Sequence, residues 1–147
     1  MKQGRVRSTV LMFAVAAALG GCQTSERAAT EAAVTPIGFE GFVGVPRPVG
    51  ESLARELVRA ADGRRFVLVR ADDRSARYVM RGYLAPRSEG GGVAYVWDLF
   101  DRSGQRAQRL SGDLTLPPGD PWAALSNGAA RPLALASVGA IDGFLVR

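Results

Sequence analysis

Few side chains in this 147-residue sequence can make or break covalent bonds. Cys22 is the single cysteine, Lys2 the single lysine, and histidine is absent. No histidine-based triad, zinc set of His and Cys, or disulfide can be assembled from that inventory. Carboxylates and guanidinium groups remain. Asp98 and Asp101 could form a glycosidase pair or bind calcium, but Asp101-Arg102-Ser103-Gly104 has the residue types of a hairpin turn, which accounts for Asp101. Asp72-Asp73 likewise opens a turn, and a D-x-D-x-D-G calcium loop does not occur. Gly90-Gly91-Gly92 lacks the helix start and following G-K-[ST] of a phosphate cradle and reads as a hairpin tip. The expectation is a non-enzymatic chain with no metal and no cofactor.

The residues left to consider are those of recognition. Tyr83 flanked by Arg81 and Arg109 on a wet sheet face is the first candidate, because an aromatic beside arginines suits an interface. Trp122, in the first turn of a helix, is a second, with packing onto the sheet edge as the favoured alternative, whereas Trp97 alternates with core residues and belongs inside. The arginines are dispersed, with no basic run interleaved with aromatics, so nucleic acid is not an expected partner. The use of Arg in place of Lys is a preference that a GC-rich genome produces by itself.

These side chains need elements to hold them. Ile37 to Val43 reads as a first strand, closed off by Pro46 and Pro48. Val49, Leu53 and Leu57 recur at helical spacing up to Asp62-Gly63. Phe66-Val67-Leu68-Val69 is short, continuous and apolar, the pattern of a strand buried on both faces. Tyr78 to Leu84 alternates, placing Met80 and Leu84 opposite Arg81 and Tyr83. Val93 to Phe100 is the most strand-like stretch, and a fifth strand runs from about Gln105 to Leu116. Asp120-Pro121-Trp122 starts a helix with an N-cap carboxylate and a proline at the first helical position. Asn127-Gly128 and Pro132 interrupt it, and a weak second stretch is expected from about Leu133 to Leu145, diluted by Gly139 and Gly143. The resulting β-α-β-β-β-β-α order predicts an α+β domain over residues 36–147, with one mixed sheet of about five strands and two helices on one face.

The amino terminus has a separate logic. Lys2, Arg5 and Arg7 precede an uncharged run of about a dozen residues, too short for the roughly 20 that span a bilayer. It ends in Leu19-Gly20-Gly21-Cys22, which resembles the bacterial lipobox. That resemblance implies removal of residues 1–21 as a signal peptide, a diacylglycerol thioether on Cys22 and a further acyl chain, such as palmitate, on its amino group. Several acyl chains anchor firmly, each buried methylene adding about 0.8 kcal/mol. Gln23 after the cysteine, in place of Asp, implies by the same resemblance sorting to the outer membrane, on its periplasmic side. Processing also removes Lys2, leaving 16 cations against 14 acids. Residues 22–35 are the lipidated cysteine and a small polar tether, so the domain is expected to work close to its membrane.

Tyr78-Val79-Met80-Arg81-Gly82-Tyr83-Leu84, Tyr95-Val96-Trp97-Asp98 with its following D-x-x-G hairpin, and Asp120-Pro121-Trp122 together resemble a group of small alphaproteobacterial lipoproteins of the Rhizobiales type, of no assigned activity. The resemblance runs from about Ile37 to the end, and Gly128, Pro132, Gly139 and Gly143 depart from the firmer last helix of that group. The topology is also distantly similar to lipoprotein domains that activate penicillin-binding proteins and to the amino-terminal domain of TolB. These likenesses imply an accessory module that binds another envelope protein, of open oligomeric state. Two rivals are a carrier of lipid or polysaccharide, which an apolar groove between helix and sheet would favour, and a regulator of a peptidoglycan synthase, which the short tether disfavours.

Overall fold

The computed structural model describes residues 33–88 and 91–147. Cys22, the lipobox residues Leu19, Gly20 and Gly21, most of the tether and Gly90 lie outside the described residues. Within them the chain forms β1 (Thr35–Val43), α1 (Arg47–Ala61), β2 (Phe66–Arg70), β3 (Tyr78–Pro86), β4 (Val93–Phe100), β5 (Arg106–Leu114), α2 (Pro121–Ala124) and α3 (Ala130–Leu145), with a widened turn at Leu125–Ala129. The five strands make one mixed sheet in the order β2-β1-β3-β4-β5. β1 is parallel to both its neighbours, while β3, β4 and β5 form an antiparallel meander. The α+β architecture is the one expected.

Strand alternation decides which face the helices cover. Val93, Trp97 and Leu99 on β4, Met80 and Leu84 on β3 and Ile37 on β1 turn inward and are buried. α1 answers with Val49, Leu53, Leu57 and Ala61, spaced every four residues on one stripe, and α3 with Leu133, Ala134, Val138 and Ile141. Fully burying each large side chain contributes about 1.5–3 kcal/mol, so these residues bind the two layers together.

Trp97 sits fully buried where the layers meet. Its Nε1–H donates to Ser137 Oγ at 2.8 Å, and that hydroxyl donates to the Leu133 carbonyl at 2.7 Å. The indole lies across its register partner Gly82 on β3 and meets the Phe42 ring edge-on at a centroid distance of 5.5 Å. A Cβ at position 82 would collide with Trp97 and Phe42 together, so the strand needs glycine here for space.

Two expectations are corrected. β2 is not buried on both faces: it is an edge strand, with Phe66 buried against α1 and Val67 45% exposed. An apolar run this short looks alike in both settings. Pro132 does not interrupt the last helix either, because α3 begins at Ala130 and the proline falls in its first turn, where an N–H has no partner to lose. Asn127-Gly128 does break the helix, Gly128 taking φ +113°. α3 then runs unbroken to Leu145 despite Gly139 and Gly143.

Ser137→Ala would strand the buried indole N–H and is expected to destabilise the domain by about 1–3 kcal/mol. Gly82→Ala is expected to cost a similar ~1–3 kcal/mol through overpacking. Urea unfolding followed by Trp fluorescence checks both, and a midpoint unchanged in either variant contradicts this picture of the core.

Candidate recognition surface

The sheet face away from the helices is where Arg81 and Tyr83 project, since they alternate with the buried Met80, Gly82 and Leu84. Register brings the neighbouring strands into rows across this face. Arg81 stands opposite Asp98, and Asp98 opposite Arg109. Tyr83 stands opposite Val96, and Val96 opposite Ser111. Val79 and Phe100 pair in the row beyond.

The charged row is a continuous ladder of alternating sign. Arg81 Nε donates to Glu40 Oε2 on β1 at 2.7 Å. Arg109 holds Asp98 in a two-point grip, Nε to Oδ1 at 2.7 Å and Nη2 to Oδ2 at 2.6 Å, and Arg106 Nε stands 4.0 Å from the same Oδ1. Asp98 is only 2% exposed although it belongs to the open face, because these long side chains lie over it. The Arg109 hydrogen bonds hold its carboxyl below the usual carboxylate range, and Glu40 is lowered in the same way by Arg81. Arg81 is held charged beyond the ordinary arginine range, chiefly by Glu40 and then by the Tyr83 hydroxyl. The Arg81 guanidinium also sits 5.7 Å from the Phe100 ring centre.

The structure therefore brings Arg81, Tyr83 and Arg109 onto one surface and pairs both guanidinium groups internally. A ligand carboxylate would have to displace Glu40 or Asp98 to be gripped by them. Trp122 is not on this surface: it opens α2, half-buried against the hydrophobic core, with its backbone N–H capped by Asp120 Oδ1 at 2.9 Å. Glu40 and Asp98 as ladder partners escaped the sequence reading, since Glu40 and Arg81 are 41 residues apart and meet only through β1–β3 pairing.

The carboxylates that the sequence offered for chemistry or turns, Asp101, Asp72 and Asp73, are occupied locally. Asp101 Oδ1 accepts from the Ser103 N–H, the Ser103 hydroxyl and the Gln105 N–H, and the hydroxyl is the main reason its pKa is lowered. Asp73 accepts from Ser75 in the same manner, and Asp72 pairs with Arg70. Among the described residues no three His, Cys, Asp or Glu side chains cluster to hold a metal, and no helix is long and apolar enough to cross a membrane. A hollow of about 340 Å³ by Phe39, Phe42 and Val45 lies where α1 meets β1, and one of about 510 Å³ lies between the end of α1 and β2.

Fold and surface define a two-layer α+β domain with one sheet face left open. No protein-family model and no curated protein matches the chain. Among solved structures it is similar to protein XCC0632 from Xanthomonas campestris, of the DUF330 family, with a TM-score of 0.52 and 12% identity over 77% of this chain and 87% of that one. It is also similar to the PelC dodecamer from Paraburkholderia phytofirmans, with a TM-score of 0.43 and 16% identity over 71% of this chain and 89% of that one. At these identities the XCC0632 likeness shows a shared fold, and the PelC likeness adds nothing to it.

A carboxylate whose folded pKa is depressed contributes stability above its unfolded pKa and loses it as pH falls through the folded value. The urea midpoint is thus expected to hold at neutral pH and to fall below about pH 4. Asp98→Asn should lower the neutral-pH midpoint and flatten part of that acid decline. Arg109→Ala, which leaves Asp98 buried without its two-point partner, should lower the midpoint more than Arg106→Ala. Equal effects of the two arginine variants would contradict the assignment.

Proposed function

We propose that the chain is a lipid-anchored envelope protein that acts as a non-enzymatic binding module, with the open sheet face as the surface that meets another envelope protein. The observation that carries this reading is the construction of that face. Its charges are paired into a fixed ladder by Glu40, Arg81, Asp98 and Arg109, and half-buried Tyr83, Val79, Val96 and Phe100 fill the rows beside it. A surface whose charged side chains are already paired loses less side-chain freedom on association, which favours recognition of a protein surface. The anchor at Cys22 rests on the lipobox resemblance, and the shortness of the tether supports a partner within or beside the same membrane.

The core between helices and sheet is closed, with Leu53, Leu57, Trp97, Val138 and Ile141 all at 0% exposure. The apolar hollows lie at the margins of the layers, beside Phe39 and Phe42 and between the end of α1 and β2, and not in the closed centre where a carrier of this build would hold its cargo, which favours a protein partner. A photoreactive benzophenone amino acid in place of Tyr83, on the open face, is expected to crosslink an envelope protein in intact cells. The same group in place of Ala136, exposed on α3, is expected not to. Equal crosslinking at both positions, or recovery of lipid alone from position 83, would overturn the proposal.

A further inference from the structure

Of the six exposed large apolar side chains among the described residues, three line one groove, while Val43, Leu135 and Val146 do not. Val34, Val58 and Val67 are 54%, 57% and 45% exposed, and all three line the groove between the end of α1 and the edge strand β2. Leu68 continues the apolar floor, and Arg59, Asp62 and Arg64 stand beside it, Arg59 paired with Glu56 at 2.6 Å and Arg64 with Asp142 at 3.6 Å. This is also where the chain enters the domain, because the Thr35 N–H donates to the Arg65 carbonyl at 2.8 Å and so fixes Val34 beside this loop.

We propose that this end of the domain, with Val34, Val58 and Val67, rests on the phospholipid headgroup region of the membrane that holds the anchor. The inference rests on the lipid anchor at Cys22. From Cys22 to Val34 the chain advances twelve residues, which span at most about 40 Å. A domain of this size is about 35 Å across. The tether's greatest reach is therefore about the width of the body it carries, which keeps the end it enters nearest the bilayer. Gln23 to Ala33 contains no large apolar side chain that could fold back over the three valines. Half-exposed valines would bind a vesicle feebly in free solution, yet tethering supplies a high local concentration, so a weak contact suffices to orient the domain. Surface ion pairs of this kind are weak, so Arg59 and Arg64, both exposed, can exchange Glu56 and Asp142 for lipid phosphates while the valines reach the headgroup boundary.

The test uses the processed, lipidated protein in phosphatidylethanolamine and phosphatidylglycerol vesicles, where an introduced cysteine is the only free thiol. An environment-sensitive fluorophore is placed through Asp62→Cys, in the groove, or Ala107→Cys, on the opposite edge strand β5. Quenching by headgroup-labelled lipid is expected at position 62 and not at position 107. Combined Val34→Asp, Val58→Asp and Val67→Asp, all at exposed sites, should abolish quenching at 62 while the protein still floats with the vesicles. Flotation with equal quenching at both positions would overturn the inference and leave the anchor standing. Protection of position 62 by a second copy or by the tether, seen as absence of quenching in floating protein, would overturn it too. Failure to float would remove the anchor and the inference with it.

Discussion

A buried indole must have its N–H paired, and in this protein that requirement joins the two layers. Trp97 points from the middle of β4 into the helix layer, and α3 must bring Ser137 to within 2.8 Å of it. Ser137 is itself committed to the Leu133 carbonyl of the preceding turn, so the contact also sets the rotation of α3 about its axis. The size of the indole dictates what lies beside it. Gly82 stands opposite on β3 and leaves the space its ring occupies, and Phe42 closes the edge. Displacing any one of these groups opens a void or an unpaired donor in the centre of the molecule.

The next residue along the strand faces the other way, and the open surface is organised around it. Asp98 is nearly inaccessible because Arg109 and Arg106 fold over it, while Arg81 beside it is engaged by Glu40. Each guanidinium in the row has a carboxylate beside it, with Arg106 and Arg109 sharing Asp98. Ion pairs between exposed groups contribute little to stability. The Asp98–Arg109 pair differs because its carboxylate has been taken out of water and depends on its partner. Two successive residues of β4 thus couple the packing of one face to the charge pattern of the other.

Much of this fold is written in local sequence, and the reasons are visible in particular segments. Val93, Tyr95, Trp97 and Leu99 alternate because one face of β4 is covered, and Leu53 and Leu57 recur at four because α1 buries one stripe. Asp101 and Asp120 reveal a turn and a cap because their side chains satisfy backbone N–H groups within a few residues. Strand order leaves no such local mark. β2 at the sheet edge carries an apolar run like that of a central strand, and only pairing shows that Val67 meets solvent. Of the candidate surface, Arg81, Tyr83 and Arg109 could be grouped by alternation along their strands. Their internal partners could not, because Glu40 reaches Arg81 only through the β1–β3 pairing and its register shift after Phe39. Trp122 was ambiguous for a related reason: an aromatic in a first helical turn faces core or solvent according to where the helix lands, and this one packs on the core.

The proposed role depends on where this domain is held and which face it presents. Anchoring through Cys22 is the claim on which the rest of the functional account stands. Intact-mass measurement of the protein extracted from membranes of a Gram-negative host tests it most directly. The predicted result is a chain beginning at Cys22 whose mass includes a diacylglycerol and an amide-linked acyl group. A chain that retains residues 1–21, or one recovered from the soluble fraction with a free Cys22 thiol, would contradict it.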